Sequence, residues 1–170
     1  MELLIGCGHS RDKKLVFRGR SAWEGLTTLD RYAACEPDVV WDLEQIPLPF
    51  EADQFDEIHA YCVLEHCGRQ GDWRFFFDQW ADFWRIAKPG GTFHGLVPLY
   101  SSPWAWGDPS HTRIIGLECL TFLSQEAYRR QIAAGSPISD FRWYYKADWQ
   151  LLASKAYDAE RLGFVLQAIK

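Results

Sequence analysis

The sequence predicts an α/β fold, a single domain built on a doubly wound, mostly parallel sheet. Seven short apolar runs, separated by turn residues, have the length of strands, and a strongly amphipathic helix lies between two of them. The first run ends in a Gly-x-Gly turn, which is typical of a sheet edge where a ligand approaches the backbone. At 170 residues the chain is long enough for one core, and no linker divides residues 1–170.

Seven segments are predicted to be strands. They cover residues 2–6, 26–29, 38–41, 55–63, 92–97, 140–146 and 162–169. The run at 55–63 is mostly apolar after an acidic start, as expected of a central strand that is buried on both faces. Pro47 and Pro49 mark the loop that leads into this strand.

The strongest helical signal covers residues 71–87, where aromatic side chains share one face. At about 100° per residue, six of them fall on an arc roughly 120° wide. They are Trp73, Phe76, Phe77, Trp80, Phe83 and Trp84. This stripe predicts a helix packed on the sheet, and Lys88-Pro89-Gly90-Gly91 ends it. A second helix is predicted at 117–134.

The connections that follow the first two predicted strands are unusual. Segment 9–25 is basic and contains glycine instead of an apolar helical pattern, and only eight residues, 30–37, follow the second strand. A parallel crossover normally needs a dozen or more residues. We therefore expect the first helices to be shortened, and a homodimer contact is one way to supply the missing cover.

The Gly-x-Gly turn and an acid 22 positions later indicate a nucleoside site. Gly6 and Gly8 flank Cys7 at the end of the first strand, and Asp30 ends the second. Glycine lets the backbone approach a flat polar ligand, and an acid at this distance can accept hydrogen bonds from ribose hydroxyls. The third glycine of a dinucleotide fingerprint is missing, which disfavours NAD and FAD. A nucleoside without phosphates, of which S-adenosylmethionine is the common example, fits better.

Composition and charge narrow the function classes. The formal net charge of −5 argues against a protein that coats nucleic acid, although a basic cluster within 11–20 leaves a local nucleic-acid contact open. No run of 18 apolar residues and no secretory signal are present, so we expect no membrane association. Five cysteines without a Cys-x-x-Cys pair favour free thiols in a reducing cytoplasm.

The order and spacing of these motifs resemble class I S-adenosylmethionine-dependent methyltransferases along nearly the whole chain. The residues that carry the resemblance are Gly6-Cys7-Gly8, Asp30, Trp41-Asp42-Leu43, Ile46-Pro47-Leu48-Pro49-Phe50, Phe55-Asp56-Glu57-Ile58, Leu64-Glu65-His66 and Lys88-Pro89-Gly90-Gly91. Segment 104–113 is similar to a compact subgroup of bacterial and bacteriophage sequences. The resemblance implies a Rossmann-like seven-stranded sheet with the strand order 3-2-1-4-5-7-6.

The resemblance also implies a set of cofactor-binding residues. The turn at Gly6, Cys7 and Gly8 would hold the methionine portion of S-adenosylmethionine, and Asp30 would take the ribose hydroxyls. Asp42 would accept from the adenine amino group, the Leu43 amide would face a ring nitrogen, and Tyr61 ends the central strand beside them. The simpler alternatives are that Asp30 and Asp42 only cap turns.

Candidate catalytic residues follow the fourth and fifth strands. His111 or His66 would act as the base, Asp108 would orient an imidazole, and Arg113 would bind an anionic group of the acceptor. Trp104 and Trp106 could stack on a flat acceptor. Alternatively, His66 caps a helix, the Trp side chains pack under a loop, or His66, Asp108 and His111 hold zinc or iron. The spacing does not require a metal, so none is included in the predicted site.

The sequence therefore predicts methyl transfer from S-adenosylmethionine to a small molecule or to a modified nucleotide or saccharide. Methylation of a base amine is disfavoured because Tyr61-Cys62-Val63-Leu64 stands where an Asn/Asp-Pro-Pro-Tyr/Phe motif would be. Two alternatives stay open. One is a non-catalytic protein of the same fold that acts in an assembly, and the other is an enzyme that cleaves S-adenosylmethionine without methylating an acceptor.

Overall fold

The computed structural model describes residues 1–170 and contains one seven-stranded sheet. Its strands are β1 (Glu2–Ile5), β2 (Leu26–Asp30), β3 (Val39–Val40), β4 (Phe55–Tyr61), β5 (Ala87–Pro98), β6 (Trp149–Ala156) and β7 (Arg161–Ala168). They lie in the order β3-β2-β1-β4-β5-β7-β6; β7 pairs antiparallel with both of its neighbours, β5 and β6, and all other neighbours pair parallel. The predicted α/β fold class and strand order are confirmed.

Strand register divides the sheet into an apolar face and a polar face. Leu3 of β1 pairs with Ile58 of β4, and Ile58 pairs with Phe93 of β5. These side chains are fully buried in one core of 27 residues. The alternate positions carry polar groups such as Glu57 and His94, which lie on the other face.

Helix α1 (Trp73–Ile86) covers the apolar face, close to the predicted bounds. Asp72 begins the helix by accepting a hydrogen bond from the Phe75 N–H at 3.1 Å. Phe77, Trp80 and Phe83 of the predicted stripe are 2 % exposed or less. The remaining helices are short: α2 (Pro103–Gly107), α3 (Leu117–Leu120) and α4 (Gln125–Ala133). No helix is long and apolar enough to cross a membrane.

No helix covers the polar face of the sheet. Residues 9–25 form an extended coil that crosses this face, so the first helix is absent and not merely shortened. The coil is held by a buried cation: Lys13 Nζ lies 3.0 Å from Glu2 Oε1 and 2.8 Å from Glu57 Oε2. Burial by itself would raise the pKa of Glu57, but hydrogen bonds from His59 and Lys13 hold it below its ordinary value.

Two histidines complete the polar network beneath the coil. The rings of His59 and His94 stack with centroids 4.3 Å apart. A neutral His59 with its proton on Nε2 donates to Glu57 at 3.0 Å and accepts from the Tyr61 hydroxyl at 2.6 Å. His94 Nε2 bonds the Thr92 hydroxyl at 2.8 Å, and burial lowers the pKa of His94 to about 3. Hydrogen bonds therefore attach the coil to this face of the sheet, whereas an ordinary doubly wound sheet is covered by the apolar face of a helix.

Two predicted elements in the second half are wrong. Segment 140–146 forms turns, because Asp140 accepts from the Arg142 N–H at 3.0 Å and Phe141 O accepts from two following N–H groups. The strand lies instead at β6, whose mostly exposed side chains give no apolar alternation. The predicted helix 117–134 is divided at Ser124, whose hydroxyl accepts from the Ala127 N–H and starts α4.

Candidate functional site

A cleft of about 300 Å³ opens at the carboxyl ends of β1, β2 and β4. Sheet order reverses between β1 and β4, which is where doubly wound sheets bind their ligands. The lining residues include five of the predicted cofactor-binding positions, Gly6, Gly8, Asp30, Asp42 and Leu43. A larger groove of about 920 Å³ lies between α4 and β6, away from these strand ends. Because chemistry-bearing residues converge at the smaller cleft, we take it as the candidate site.

The two glycines of the turn meet different constraints. Gly6 has φ +59°, and a Cβ there would lie 2.2 Å from Cγ2 of Val63. Gly8 has φ +52°, and a Cβ there would meet no atom within 4 Å. Gly6 therefore permits close packing of β1 against the end of β4, whereas Gly8 leaves open space beside the cleft.

Asp30 joins the glycine turn to the end of β2. Its Oδ2 accepts from the Gly8 N–H at 2.8 Å, and its Oδ1 accepts from the Tyr32 N–H at 2.9 Å. Each carboxylate oxygen keeps a further lone pair for a ligand hydroxyl. The turn-capping alternative for Asp30 is thus present, and it leaves the carboxylate on the wall of the cleft.

Residues 41–43 form another wall of the cleft. The Asp42 Oδ1 atom accepts from the Glu44 N–H at 3.0 Å and so caps a turn. Leu43 is buried, and its N–H donates no hydrogen bond within the chain. Trp41 also lines the cleft, and its indole N–H donates to Gln45 O at 2.8 Å. A flat indole, a free amide and a carboxylate together suit a planar heterocycle.

Arg11 braces the glycine turn from outside, a role that sequence reasoning missed. Its guanidinium donates to Gly8 O at 2.8 Å and, across the coil, to Cys35 O at 2.9 Å. It also reaches Glu36 O at 3.2 Å. The segment has no helical pattern and contains several other basic residues, so no sequence signal distinguished Arg11 from them.

The end of β4 forms a tight turn. Cys62 has φ +53°, an uncommon conformation for a residue other than glycine, and a single 3₁₀ turn follows at Leu64–His66. Glu65 in this turn is 2 % exposed, and neither carboxylate oxygen has a hydrogen-bond partner. Burial raises the pKa of Glu65 to about 7.

The predicted catalytic residues lie together at the edge of the cleft. His66 lines the cleft, and its Nδ1 lies 3.1 Å from the Ser110 hydroxyl. The His66 and His111 ring centroids are 4.6 Å apart. Asp108 Oδ1 accepts from the Ser110 N–H at 2.8 Å, while its Oδ2 lies 3.8 Å from His111 Nε2. The fold thus brings His66, Asp108 and His111 together, and it adds Glu65 and Ser110.

Five predicted site residues lie away from the cleft. Cys7 and Tyr61 face the coil on the polar side of the sheet, where the Tyr61 hydroxyl accepts from the Leu15 N–H at 3.3 Å. Trp104 and Trp106 are exposed on α2. Arg113 is 5 % exposed, and its Nε donates to Leu64 O at 3.0 Å while Nη2 bonds Gln79. The expectation that Arg113 is open to an anionic acceptor group is therefore corrected: its guanidinium supports the end of β4.

Comparison with known proteins finds similar structures but no similar sequences. No protein-family model and no curated protein matches the chain. Solved structures do match, among them an S-adenosylmethionine-dependent methyltransferase from Archaeoglobus fulgidus, with a TM-score of 0.58 and 13 % identity over 98 % of this chain and 85 % of that one. This chain has the fold of class I methyltransferases.

Two further methyltransferase structures show the same fold. The enzyme from Mesorhizobium loti gives a TM-score of 0.54 at 13 % identity over 98 % of this chain and 90 % of that one. The N-methyltransferase NodS from Bradyrhizobium japonicum gives 0.53 at 12 % identity over 99 % and 85 %. At such identities the likeness establishes the methyltransferase fold, and the choice of ligand and acceptor has to be argued from the residues of the cleft.

Proposed function

We propose that this chain is an S-adenosylmethionine-dependent methyltransferase acting on a small molecule or on a modified nucleotide or saccharide. One observation carries the proposal. Gly6, Gly8, Asp30, Asp42 and Leu43 line one cleft at the point where the strand order of a methyltransferase fold reverses. Sequence positions up to 37 residues apart thus supply the donor and acceptor groups that a nucleoside needs.

The groups in the cleft fit this cofactor. The Asp30 carboxylate would accept from the ribose hydroxyls, and the Leu43 N–H and the Asp42 carboxylate would pair with the adenine edge. The open space at Gly8 leaves room for the methionine portion. The missing third glycine agrees with a ligand that carries no phosphate.

The acceptor side of the proposal rests on the cluster beside the cleft. When bound, S-adenosylmethionine supplies an electrophilic methyl group for an in-line displacement. This chain's own residues would align the acceptor and take up its proton. His66 and His111 are the candidate bases, and Asp108 would orient His111. The exposed Trp104 and Trp106 would stack on a flat acceptor that reaches past the cluster.

Calorimetric titration with S-adenosylmethionine and S-adenosylhomocysteine tests the cofactor assignment. We expect micromolar binding by the wild type and a loss of at least about tenfold in Asp30→Asn, since a charged acceptor of two hydroxyls is removed. Asp38→Asn is the matched control: its carboxylate accepts from the Thr28 N–H at 2.8 Å but lies outside the cleft.

Each outcome separates the competing functions. An equal loss in both variants would assign Asp30 a purely structural role. No binding by the wild type at millimolar ligand would favour the non-catalytic alternative, for which the absent first helix is the supporting observation. Product analysis distinguishes the enzymes, because methyl transfer yields S-adenosylhomocysteine only with an acceptor present, whereas cleavage proceeds without one.

A further inference from the structure

Three side chains at the edge of the cleft present metal-binding atoms to one another. Each side chain contributes one ligand atom, and these three atoms, from Glu65, His66 and His111, lie within 4.8 Å of one another. His111 Nε2 is 4.0 Å from Glu65 Oε1 and 3.8 Å from Asp108 Oδ2. The side chains of Glu65 and His111 are 3 % and 9 % exposed, so these two groups are buried, whereas His66 is half-buried at the edge of the cleft.

The carboxylate of Glu65 is unpartnered. Both oxygens are buried without a hydrogen bond, as is Nδ1 of His111. A buried carboxylate with no partner costs several kcal/mol in its ionised form, so it either takes up a proton or binds a cation. The structure thus contains an acceptor that is enclosed and aimed at two imidazoles, with no protein donor to satisfy it.

The hydrogen bonds of His66 leave one of its ring nitrogens free. Its Nδ1 lies 3.1 Å from the Ser110 hydroxyl and 3.3 Å from Ser110 O, so Nδ1–H donates and the lone pair is on Nε2. A hydrogen bond from the far ring nitrogen to a backbone oxygen is the usual outer-shell support of a ligating histidine.

A second cluster in the same chain provides the contrast. Glu57, His59 and His94 also bring a carboxylate and two imidazoles together. There, Glu57 is paired with Lys13 at 2.8 Å, and both nitrogens of His59 are hydrogen-bonded. The carboxylate under the coil therefore has partners, and only Nδ1 of His94 is left unpaired there, whereas the Glu65 carboxylate beside the cleft has no partner.

We infer that Glu65, His66 and His111 hold a divalent first-row transition cation, with Asp108 as a fourth ligand. Two imidazoles with one or two carboxylates suit Zn²⁺, Mn²⁺ or Fe²⁺ better than Mg²⁺, which prefers oxygen. Ligand atoms about 2.0–2.2 Å from a metal lie about 3.0–3.5 Å apart. The cluster therefore has to contract by about 1 Å, which rotation of the His111 ring and the exposed Asp108 side chain can supply.

Such a cation would also define the class of acceptor. This step rests on the proposed function: because His66 lines the cleft, an acceptor hydroxyl bound to the metal would sit beside the cofactor site and lose its proton more readily. His111 and His66 would then serve as ligands instead of bases, and oxygen acceptors would be favoured.

Titration of the metal-free chain with Mn²⁺ alone, followed by electron paramagnetic resonance, tests the site without any cofactor. Mn²⁺ avoids the five free thiols, which prefer softer ions. We expect one site, weakened at least about 100-fold in Glu65→Gln. His59→Gln is the control, since it removes a histidine of the cluster whose carboxylate is paired with Lys13, and its Mn²⁺ affinity is expected to match the wild type.

The result is independent of the methyltransferase proposal. Glu65→Gln replaces an unpartnered buried carboxyl group by a neutral amide of the same shape, so the metal-free variant should melt at the wild-type temperature or above. His111→Asn should weaken Mn²⁺ binding similarly. Undiminished binding in both variants, no binding by the wild type, or equal loss in His59→Gln would overturn the metal site whatever the titration with S-adenosylmethionine shows.

Discussion

At the scale of single residues, the two glycines of the turn are expected to matter for different properties, Gly6 for stability and Gly8 for ligand binding. Gly6 and Gly8 both have positive φ, so alanine at either position costs about 1–2 kcal/mol for the left-handed conformation. Only at Gly6 does a Cβ also collide with Val63. The two positions are therefore matched in backbone strain and differ in packing.

Gly6→Ala is expected to lower the free energy of unfolding by about 1–3 kcal/mol more than Gly8→Ala, the cost of overpacking. Gly8→Ala is expected to affect cofactor affinity more than stability, because its Cβ enters the open space beside the cleft. Denaturant unfolding and calorimetry on both variants measure the two effects. Equal destabilisation would show that the end of β4 moves away from the added methyl group at no cost.

Arg11 has the role of a positioning residue. It is the cation that ties the carbonyl of the glycine turn to the Ala33–Cys35 segment, at 2.8 Å and 2.9 Å. Arg11→Met is expected to weaken S-adenosylmethionine binding about tenfold, or 1.4 kcal/mol, because the turn loses its brace. Arg18→Met removes an exposed arginine of the same coil and serves as the control. Identical affinities in the two variants would leave Arg11 without a role in binding.

At the scale of elements, the coil 9–25 replaces a helix with a hydrogen-bonded network. The consequence is a pH dependence that an apolar interface would not have. The pKa of buried His94 is lowered from 6.5 to about 3, first by burial and then by the neighbouring His59. The unfolded chain therefore binds this proton more tightly between pH 6.5 and 3, and stability falls as the pH falls through that window.

His94→Gln is expected to reduce the loss of unfolding free energy between pH 7.5 and 4.5 by about 2 kcal/mol. The lowered pKa of Glu57 acts in the same direction but below pH 4.5, outside this comparison. His9→Gln changes an exposed histidine and should keep the wild-type pH dependence. If the unfolding free energies of wild type and His94→Gln fall in parallel with pH, a group other than His94 takes up the proton on unfolding.

At the scale of the whole molecule, one buried cation connects two strands on the polar face of the sheet. The Lys13 side chain is 2 % exposed and bridges carboxylates on β1 and β4. Lys13→Met would leave Glu2 without its counter-charge and Glu57 with only the half-exposed Arg20, whose Nη1 lies 3.4 Å from Glu57 Oε1. We expect a loss of about 3–5 kcal/mol of unfolding free energy, against no change in the exposed control Lys155→Met. A wild-type midpoint in urea for Lys13→Met would contradict this account.

The homodimer contact suggested by the missing helix stays a prediction, since the coil already covers this face.

Much of the fold could be predicted because its signals are local. Short apolar runs bounded by turn residues identified β1, β2, β3, β4, β5 and β7, and an aromatic stripe of helical period identified α1. The predictions failed where local patterns compete with tertiary contacts. The aromatic residues at 140–146 have the pattern of a strand but pack on α1, where the ring centroids of Tyr145 and Phe77 are 4.9 Å apart. Strand β6 carries no apolar alternation, because its side chains are mostly exposed at the edge of the sheet.

The sequence by itself determined the fold class and the part of the cleft formed by the glycine turn and Asp30. Both depend on local chain geometry, which residues close in sequence dictate. Only the tertiary structure decided which way side chains face. It turned Tyr61 to the polar side of the sheet, buried Arg113 between α1 and the turn that follows β4, and brought Glu65 to His111 across 46 positions. Contacts at such separations depend on how the whole sheet is wound and covered, so no local pattern in the chain records them.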